Sequence, residues 1–278
     1  MRLTFLIALL TILTCTNSQA LEMQSKPVPG GIAIVRLGKS ATPLQASFNN
    51  KRVMTLQKNG IWHAIVGIGL NEKPGQKKLS ITTATSKTNV PFSIDSFDYE
   101  SQYITLKTNK HVNLSKANLE RHKKEKLRSR KALDNWLANQ PNTIELKSPT
   151  KGTISSPFGL RRFYNNQPRK PHSGIDIAAP KGTPIYAPLA GTVTEVGNFF
   201  FNGNVIFIDH GNGLVTMYCH QDKNLVKKGQ KVKQGDLIGE VGSTGRVTGP
   251  HLHWGVSLNG NMVDPILLTP ELRKQVKK

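Results

Sequence analysis

The chain has 278 residues, 38 Lys and Arg against 17 Asp and Glu, a net charge of +21 and two cysteines. That length accommodates one large or two medium domains, each with its own core. The positive excess points to an anionic partner. The scatter of basic residues, with neither an aromatic stacking platform nor a recognition motif beside them, argues against nucleic acid.

Residues 1–20 read as a cleavable export signal. Arg2 supplies the positive start, residues 3–15 an apolar run too short for an ordinary membrane span, and Ser18-Gln19-Ala20 a small-x-small cleavage site. A competing reading is lipidation at Cys15 in Ile12-Leu13-Thr14-Cys15, against which Thr14 is larger than the residue usual before a lipidated cysteine. The expectation is export to the periplasm of a Gram-negative-like cell, with a lipid anchor or secretion as alternatives and no transmembrane helix in the mature chain. Cleavage leaves Cys219 alone, so no intrachain disulfide can form. Val215-Thr216-Met217-Tyr218 before it favours a small apolar strand residue over a thiol nucleophile.

Residues 21–108 carry short apolar runs divided by turn signals. Pro29-Gly30-Gly31 precedes Ile32-Ala33-Ile34-Val35, Asn49-Asn50-Lys51 precedes Val53-Met54-Thr55-Leu56, and Asn59-Gly60 precedes Ile61-Trp62-His63-Ala64. An Asn-Gly pair between apolar runs predicts a hairpin, and strands at this spacing predict a small β-sandwich-like domain. It holds no constellation of ligands or nucleophiles, and His63 beside Trp62 reads as structural. Its expected role is to position or restrain the second, C-terminal domain. Residues 109–142 form the linker: 114–140 lack Gly and Pro and predict a basic helix with Ser115 as N-cap, ended by Pro141. Its apolar stripe is too thin for a membrane-surface helix.

Residues 143–270 return to the β pattern, with strands expected at 185–186, 191–196, 205–209, 214–220, 237–241 and 253–258, a polar loop over 161–171 and Gly-rich separators. An antiparallel, largely all-β domain results, followed by a basic tail at 271–278. Two stretches carry chemistry, Pro171-His172-Ser173-Gly174-Ile175-Asp176 and Gly249-Pro250-His251-Leu252-His253-Trp254. In a strand His251 and His253 share a face and Trp254 takes the other. One of this pair, with His172 and Asp176, makes a two-nitrogen, one-carboxylate set of the kind that holds hydrolytic zinc. Spacing leaves open which of the two touches the metal. His-x-His alone is a weak signal; its company in one domain, with His220 at the end of another strand, strengthens it.

Over about 149–268 the chain resembles the lysostaphin-type peptidoglycan endopeptidases, peptidase family M23. The matching segments are Ser156-Pro157-Phe158-Gly159, His172-Ser173-Gly174-Ile175-Asp176, Asp209-His210-Gly211-Asn212-Gly213, Tyr218-Cys219-His220, Gly242-Ser243-Thr244-Gly245 and Gly249-Pro250-His251-Leu252-His253. The resemblance implies an antiparallel sheet of the lysostaphin type, one Zn2+ held by His172, Asp176 and His253, and His220 and His251 as catalytic histidines that move protons. It also implies hydrolysis of peptidoglycan cross-links, with the D-alanyl–diaminopimelate bridge as the expected target. Peptidoglycan is then the substrate, and anionic envelope polymers are further candidate partners. The alternative is a non-catalytic wall-binding regulator that activates a separate amidase; regulators of that kind lose ligand or catalytic histidines, and all five are present here.

Three motifs stand apart. His210 reads as a turn stabiliser rather than a ligand. Phe199-Phe200-Phe201 reads equally as a groove wall or as strand packing. Gly242-Ser243-Thr244-Gly245 is a turn, since no Lys-Ser or Lys-Thr comes after it to make a phosphate loop.

Overall fold

The computed structural model describes residues 24–83, 85–104, 115–139, 141, 143–164, 166–168 and 170–276. The expected export signal, including Cys15 and Ala20, residues 105–108 of the expected N-terminal domain and residues 109–114 of the expected linker lie outside these.

The first half contributes β1 (Ile32–Gly38), β2 (Gln45–Phe48), β3 (Lys51–Lys58), β4 (Ile61–Gly67), β5 (Gly75–Thr82), β6 (Lys87–Ile94) and β7 (Ser101–Ile104), then α1 (Lys116–Leu133). After α1 come β8 (Thr153–Ser156), β9 (Arg161–Tyr164), β10 (Gln167–Pro168), β11 (Ile175–Ala178), β12 (Pro184–Tyr186), β13 (Gly191–Phe199) and β14 (Gly203–Gly211). The chain continues through β15 (Leu214–Gln221), β16 (Lys223–Asn224), β17 (Lys231–Val232), β18 (Leu237–Glu240), β19 (His251–Leu258) and β20 (Asn261–Val263). A 3-10 turn (Pro265–Leu268) and α2 (Pro270–Val276) close the described chain.

The mainly β architecture rests on two sheets. Strands β1 to β6 form one antiparallel sheet in the order β1-β4-β3-β2-β5-β6, curled so that β6 approaches β1. The sandwich-like enclosure expected from the sequence thus comes from one sheet folding over on itself. Asn59 and Gly60 turn β3 into β4 with φ of 50° and 75°, the positive pair that a two-residue hairpin turn requires. Inside the curl pack Ala33, Val35, Phe48, Val53, Val66, Ile68 and Leu79. The second sheet runs β17-β13-β14-β15-β19-β11-β8, with β20 beside β19.

The halves share a core. Ile32, Met54, Leu56 and Ile65 from the first sheet belong to the same buried cluster as Ile175, Tyr218, Leu252, Trp254, Val256 and Leu258. Alternation explains this: Ile32 and Met54 face away from the curl while Ala33 and Val53 face into it. Gly67 marks the closest approach, because a Cβ there would stand 2.5 Å from the Leu258 carbonyl oxygen. Asn259 seals the contact, accepting from Gly67 N–H at 2.7 Å and donating to its carbonyl at 3.1 Å.

Helix α1 begins at Ser115, whose hydroxyl accepts from Asn118 N–H at 3.3 Å, and ends at Asp134, well before Pro141. The early end has a tertiary cause: Asn135 and the Leu137 N–H turn away to bind the buried Asp209 carboxylate at 2.7 and 3.1 Å. The helix packs on β13–β15 through Ala132 and Leu133, which join Phe199, Phe207 and Met217 in a small apolar cluster, and through a polar face beside them. Glu125 is buried and accepts from Arg121 and from Phe200 N–H, and Arg128 reaches Glu195 at 2.7 Å. The segment read as a polar loop, 161–171, contains β9 and β10. Its ladder partner is β7, paired in parallel from Ser101 opposite Arg161, so the strand depends on a segment sixty residues away that local pattern cannot reveal. The basic tail is helical as far as Val276, with Leu272 buried.

Candidate metal centre

Two neighbouring strands build the site. In the β11–β19 ladder Asp176 lies directly opposite His253 and Ala178 opposite His251, and residues opposite each other share a face. The Asp176 Oδ1 is 2.9 Å from His253 Nδ1 and 3.0 Å from His172 Nε2, and those two nitrogens are 3.0 Å apart. All three donor atoms lie within 4.8 Å of one another. Trp254 takes the opposite face and is fully buried in the shared core.

His172 arrives from a loop held on both sides. Its N–H donates to the Leu160 carbonyl at 3.0 Å, and its own carbonyl accepts from Gly159 N–H at 2.8 Å. Its Nδ1 donates to the Pro157 carbonyl at 2.8 Å, which leaves Nε2 with its lone pair turned to the cluster. Gly174 permits the approach: a Cβ would stand 2.4 Å from the Trp254 carbonyl oxygen and 2.9 Å from His253 Cε1. Two imidazole nitrogens and a carboxylate oxygen converging from a loop and two strands fit a single divalent ion with open positions.

His220 reaches the same face by a distortion. The β14–β15 register slips between Asn204 and Ile206, which face Gln221 and Tyr218, so β15 carries one extra residue. His220 sits in this bulge with φ of 64°, a left-handed conformation that costs a non-glycine residue about 1–2 kcal/mol. Plain alternation would send it to the core face with Tyr218; the bulge brings its ring 4.9 Å from that of His251 and 6.2 Å from that of His253. Its Nδ1 donates to the Thr244 carbonyl at 2.9 Å, and His251 Nδ1 donates to the Gly249 carbonyl at 2.9 Å. Both rings therefore turn Nε2 away from these carbonyls, and that of His251 lies 3.8 Å from Asp176 Oδ1.

The charges follow from this packing. Burial would raise the Asp176 pKa, but hydrogen bonds and charge from His172 and His253 hold the carboxyl well below its usual range. Burial lowers His220 to about 4; His253 and His251 push the same way, and the bond to Thr244 opposes them. His253 is lowered too, first by burial, with Asp176 opposing.

The sequence reading missed Arg162 and Ser156. The Arg162 Nη2 donates to Ser156 Oγ at 2.7 Å and stands 3.9 Å from Asp176 Oδ2, and Ser156 is the cross-strand neighbour of Asp176. No local signal marks Arg162, because it is aimed by β9, whose partner strand is distant. The motifs outside the ligand set also find places. His210 is buried, its Nδ1 donating to the Ala190 carbonyl at 2.9 Å and its Nε2 2.7 Å from Thr216 Oγ1, far from the ligand set in the ladder. Phe199 packs under α1 with Cys219, whereas Phe200 and Phe201 remain half-buried at the surface. His63 binds the Ile61 carbonyl within its own strand, and the turn at 242–245 supplies the carbonyl that orients His220.

The fold and donor set thus define a β protein with a built site for one divalent ion, flanked by two further imidazoles. The model of peptidase family M23 matches residues 170–265, and that of the peptidase family M23 N-terminal domain matches 25–96. A crystal structure described as a peptidase M23 from Pseudomonas aeruginosa is 40% identical, with a TM-score of 0.77, covering 89% of this chain and 97% of that one. This chain belongs to peptidase family M23. Among curated relatives, the peptidoglycan DD-endopeptidase ShyA of Vibrio cholerae is 44% identical over 130 residues, 46% of this chain and 30% of that protein. The DD-carboxypeptidase/endopeptidase Mpg of Neisseria meningitidis is 45% identical over 127 residues, 45% of this chain and 29% of that protein. The chain spans less than a third of the length of these two relatives.

Proposed function

We propose that this chain is a zinc-dependent endopeptidase that hydrolyses peptide cross-links of bacterial peptidoglycan, with the D-alanyl–diaminopimelate bridge as its target. The observation that carries the reading is the convergence of His172, Asp176 and His253 on one point, with His220 and His251 beside them. The names of two relatives, a peptidoglycan DD-endopeptidase and a DD-carboxypeptidase/endopeptidase, support the same substrate class. Zinc, when bound by these three residues, would supply the Lewis acidity that activates a water and polarises a carbonyl.

The protein's own groups do the rest. Asp176 stays ionised and keeps one oxygen on the ligand imidazoles. The Pro157 carbonyl sets the tautomer of His172, as outer partners of ligating histidines commonly do. His220, held neutral by burial, is the proton acceptor at its Nε2; the proton it takes from water passes to the leaving amine, directly or by way of His251, which faces it across 4.9 Å. We assign export to the periplasm to the leader at 1–20, and a positioning role to the N-terminal sheet through the core it shares.

Purified sacculi digested with residues 21–278, with and without a chelator, test the assignment through the mass of the muropeptides released. Release is expected to stop with chelator and in His172→Ala and His253→Ala, which lose zinc. His220→Ala and His251→Ala should keep zinc and lose turnover by about 100-fold or more. Release that persists in the ligand variants would rule out the mechanism. Zinc binding without release, alongside stimulation of a separate amidase, would assign the regulator role instead.

A further inference from the structure

Of the three residues in the proposed ligand set, His172 is the one that lies outside a strand. It is held instead by residues 157–160. The Leu160 carbonyl accepts from its N–H, the Gly159 N–H donates to its carbonyl, and the Pro157 carbonyl accepts from its Nδ1. The place of this short segment therefore decides where Nε2 of His172 points. At its centre Gly159 has φ of 80° and no side chain to fill the space beside it.

That space is filled from the first half of the chain. Tyr99, in the connection between β6 and β7, lays its ring on Gly159: a Cβ there would stand 2.6 Å from Tyr99 Cγ and nearer still to Cδ1 and Cε1. The same ring meets Phe158 edge-on, with centroids 6.0 Å apart, and Phe158 is buried in the shared core. Tyr99 is itself fixed on two sides. Its hydroxyl donates to the Pro29 carbonyl at 2.8 Å. The next residue, Glu100, accepts from the Arg161 N–H at 2.9 Å, and the parallel β7–β9 pair follows at once. Gly30 completes the seat, because a Cβ there would stand 2.5 Å from Phe158 Cε1 and 2.8 Å from the Tyr99 hydroxyl oxygen.

We infer that Tyr99 is a positioning residue for the metal centre: its ring, pressed on Gly159 and Phe158, holds residues 157–160, and through them His172 Nε2, in the geometry that takes the ion. The first half of the chain thus shapes the site without supplying a ligand. Removing the ring leaves a void beside a segment that has only a glycine at that point, and close-packed groups partly collapse into such a void. Three hydrogen bonds pass the resulting shift to His172. Losing the outer supports of a ligating histidine costs about 10–100-fold in metal affinity. The inference deepens the proposed zinc-site reading and rests on it, and its test separates the two.

The test measures the zinc dissociation constant of residues 21–278 by chelator competition, together with the visible spectrum of bound Co2+, whose bands follow ligand set and geometry. Tyr99→Ala should raise the dissociation constant about 10-fold or more and weaken the Co2+ bands. Tyr99→Phe, which keeps the ring and loses only the bond to Pro29, should restore most of the affinity. Gly159→Ala should also weaken zinc binding, and adding Tyr99→Ala to it should cost less than the two single losses together, because the methyl then enters space the ring has left. Asn259→Ala loosens the joint between the sheets at a different contact, so it should lower the urea midpoint and leave zinc affinity and the Co2+ spectrum as in wild type. Should Tyr99→Ala not fold, Tyr99→Leu carries the same comparison. Zinc affinity within about 2-fold of wild type in the folded Ala or Leu variant overturns the inference. So does an equal loss in Asn259→Ala, which would mark general loosening, or a Tyr99→Phe loss as large as that of Tyr99→Ala. Any of these leaves the metal centre standing. The expected zinc losses in a chain that releases nothing from sacculi would keep Tyr99 in its role and refute the endopeptidase.

Discussion

Replacing Asn259 by Ala should weaken the joint between the two sheets by about 2–4 kcal/mol, a sum of three local changes. The Gly67 N–H, buried and bound to Asn259 Oδ1, loses that acceptor, which costs about 1–3 kcal/mol. The Gly67 carbonyl loses one donor but keeps Asn261 Nδ2 at 3.0 Å, so that change is small. The backbone at 259 has φ of 45°, where Ala is worse than Asn or Gly by about 1 kcal/mol. Asn259→Gly should therefore fall about 1 kcal/mol short of the Ala effect. Urea unfolding monitored by tryptophan fluorescence measures both, because Trp62 reports the first sheet and Trp254 the second. Wild type should unfold in one transition, since Met54 and Ile65 share a core with Trp254 and Leu258. Two separate wild-type transitions, or losses below about 0.5 kcal/mol in both variants, would refute a single cooperative core joined at Gly67.

The remaining predictions concern the site and its buried groups. Arg162→Ala should raise the zinc dissociation constant about 10-fold in a chelator competition, as loss of an outer partner of a ligand does, with Arg162→Lys retaining part of the affinity; unchanged affinity in both would remove Arg162 from the site. Burial lowers His210 from 6.5 to about 4, so the folded chain keeps it neutral while the unfolded chain takes up a proton below 6.5. Stability should fall as pH drops from 6.5 to 4, by up to about 3 kcal/mol from this group, and level off below. Asp209, raised by burial, has the opposite slope at its own pKa, so His210→Gln is the comparison that isolates the histidine; parallel pH curves for the two proteins would refute the assignment. Cys219 is fully buried and its thiol is pushed up to about 12 by burial, so a thiol reagent at about pH 8 should label it only on unfolding. Stoichiometric labelling of the native chain within minutes would contradict that burial.

Much of the site was legible because its chemistry and its periodicity coincide. Alternation alone placed His251 and His253 on one face and Trp254 on the other, and the donor types narrowed the chemistry to a site that could hold a divalent metal. The turns at Asn59-Gly60 and Asn212-Gly213 could be read because a positive φ selects few residues. What sequence could not supply is whatever depends on a partner distant in the chain. Asp176 meets His253 through a strand register, and β9 exists because β7 lies beside it. Arg162 points at the Asp176 carboxylate only through that pairing. His220 lies on the face of His251 and His253 because β15 carries an extra residue, a distortion that leaves no mark in Tyr218-Cys219-His220-Gln221. The composition and the spacing of donors thus determined which chemistry is available, since donor identity is a property of each residue. Which groups face one another, and the joining of the two halves through Gly67 and Asn259, were decided by tertiary packing, because contact between distant segments depends on the register and curvature of whole sheets.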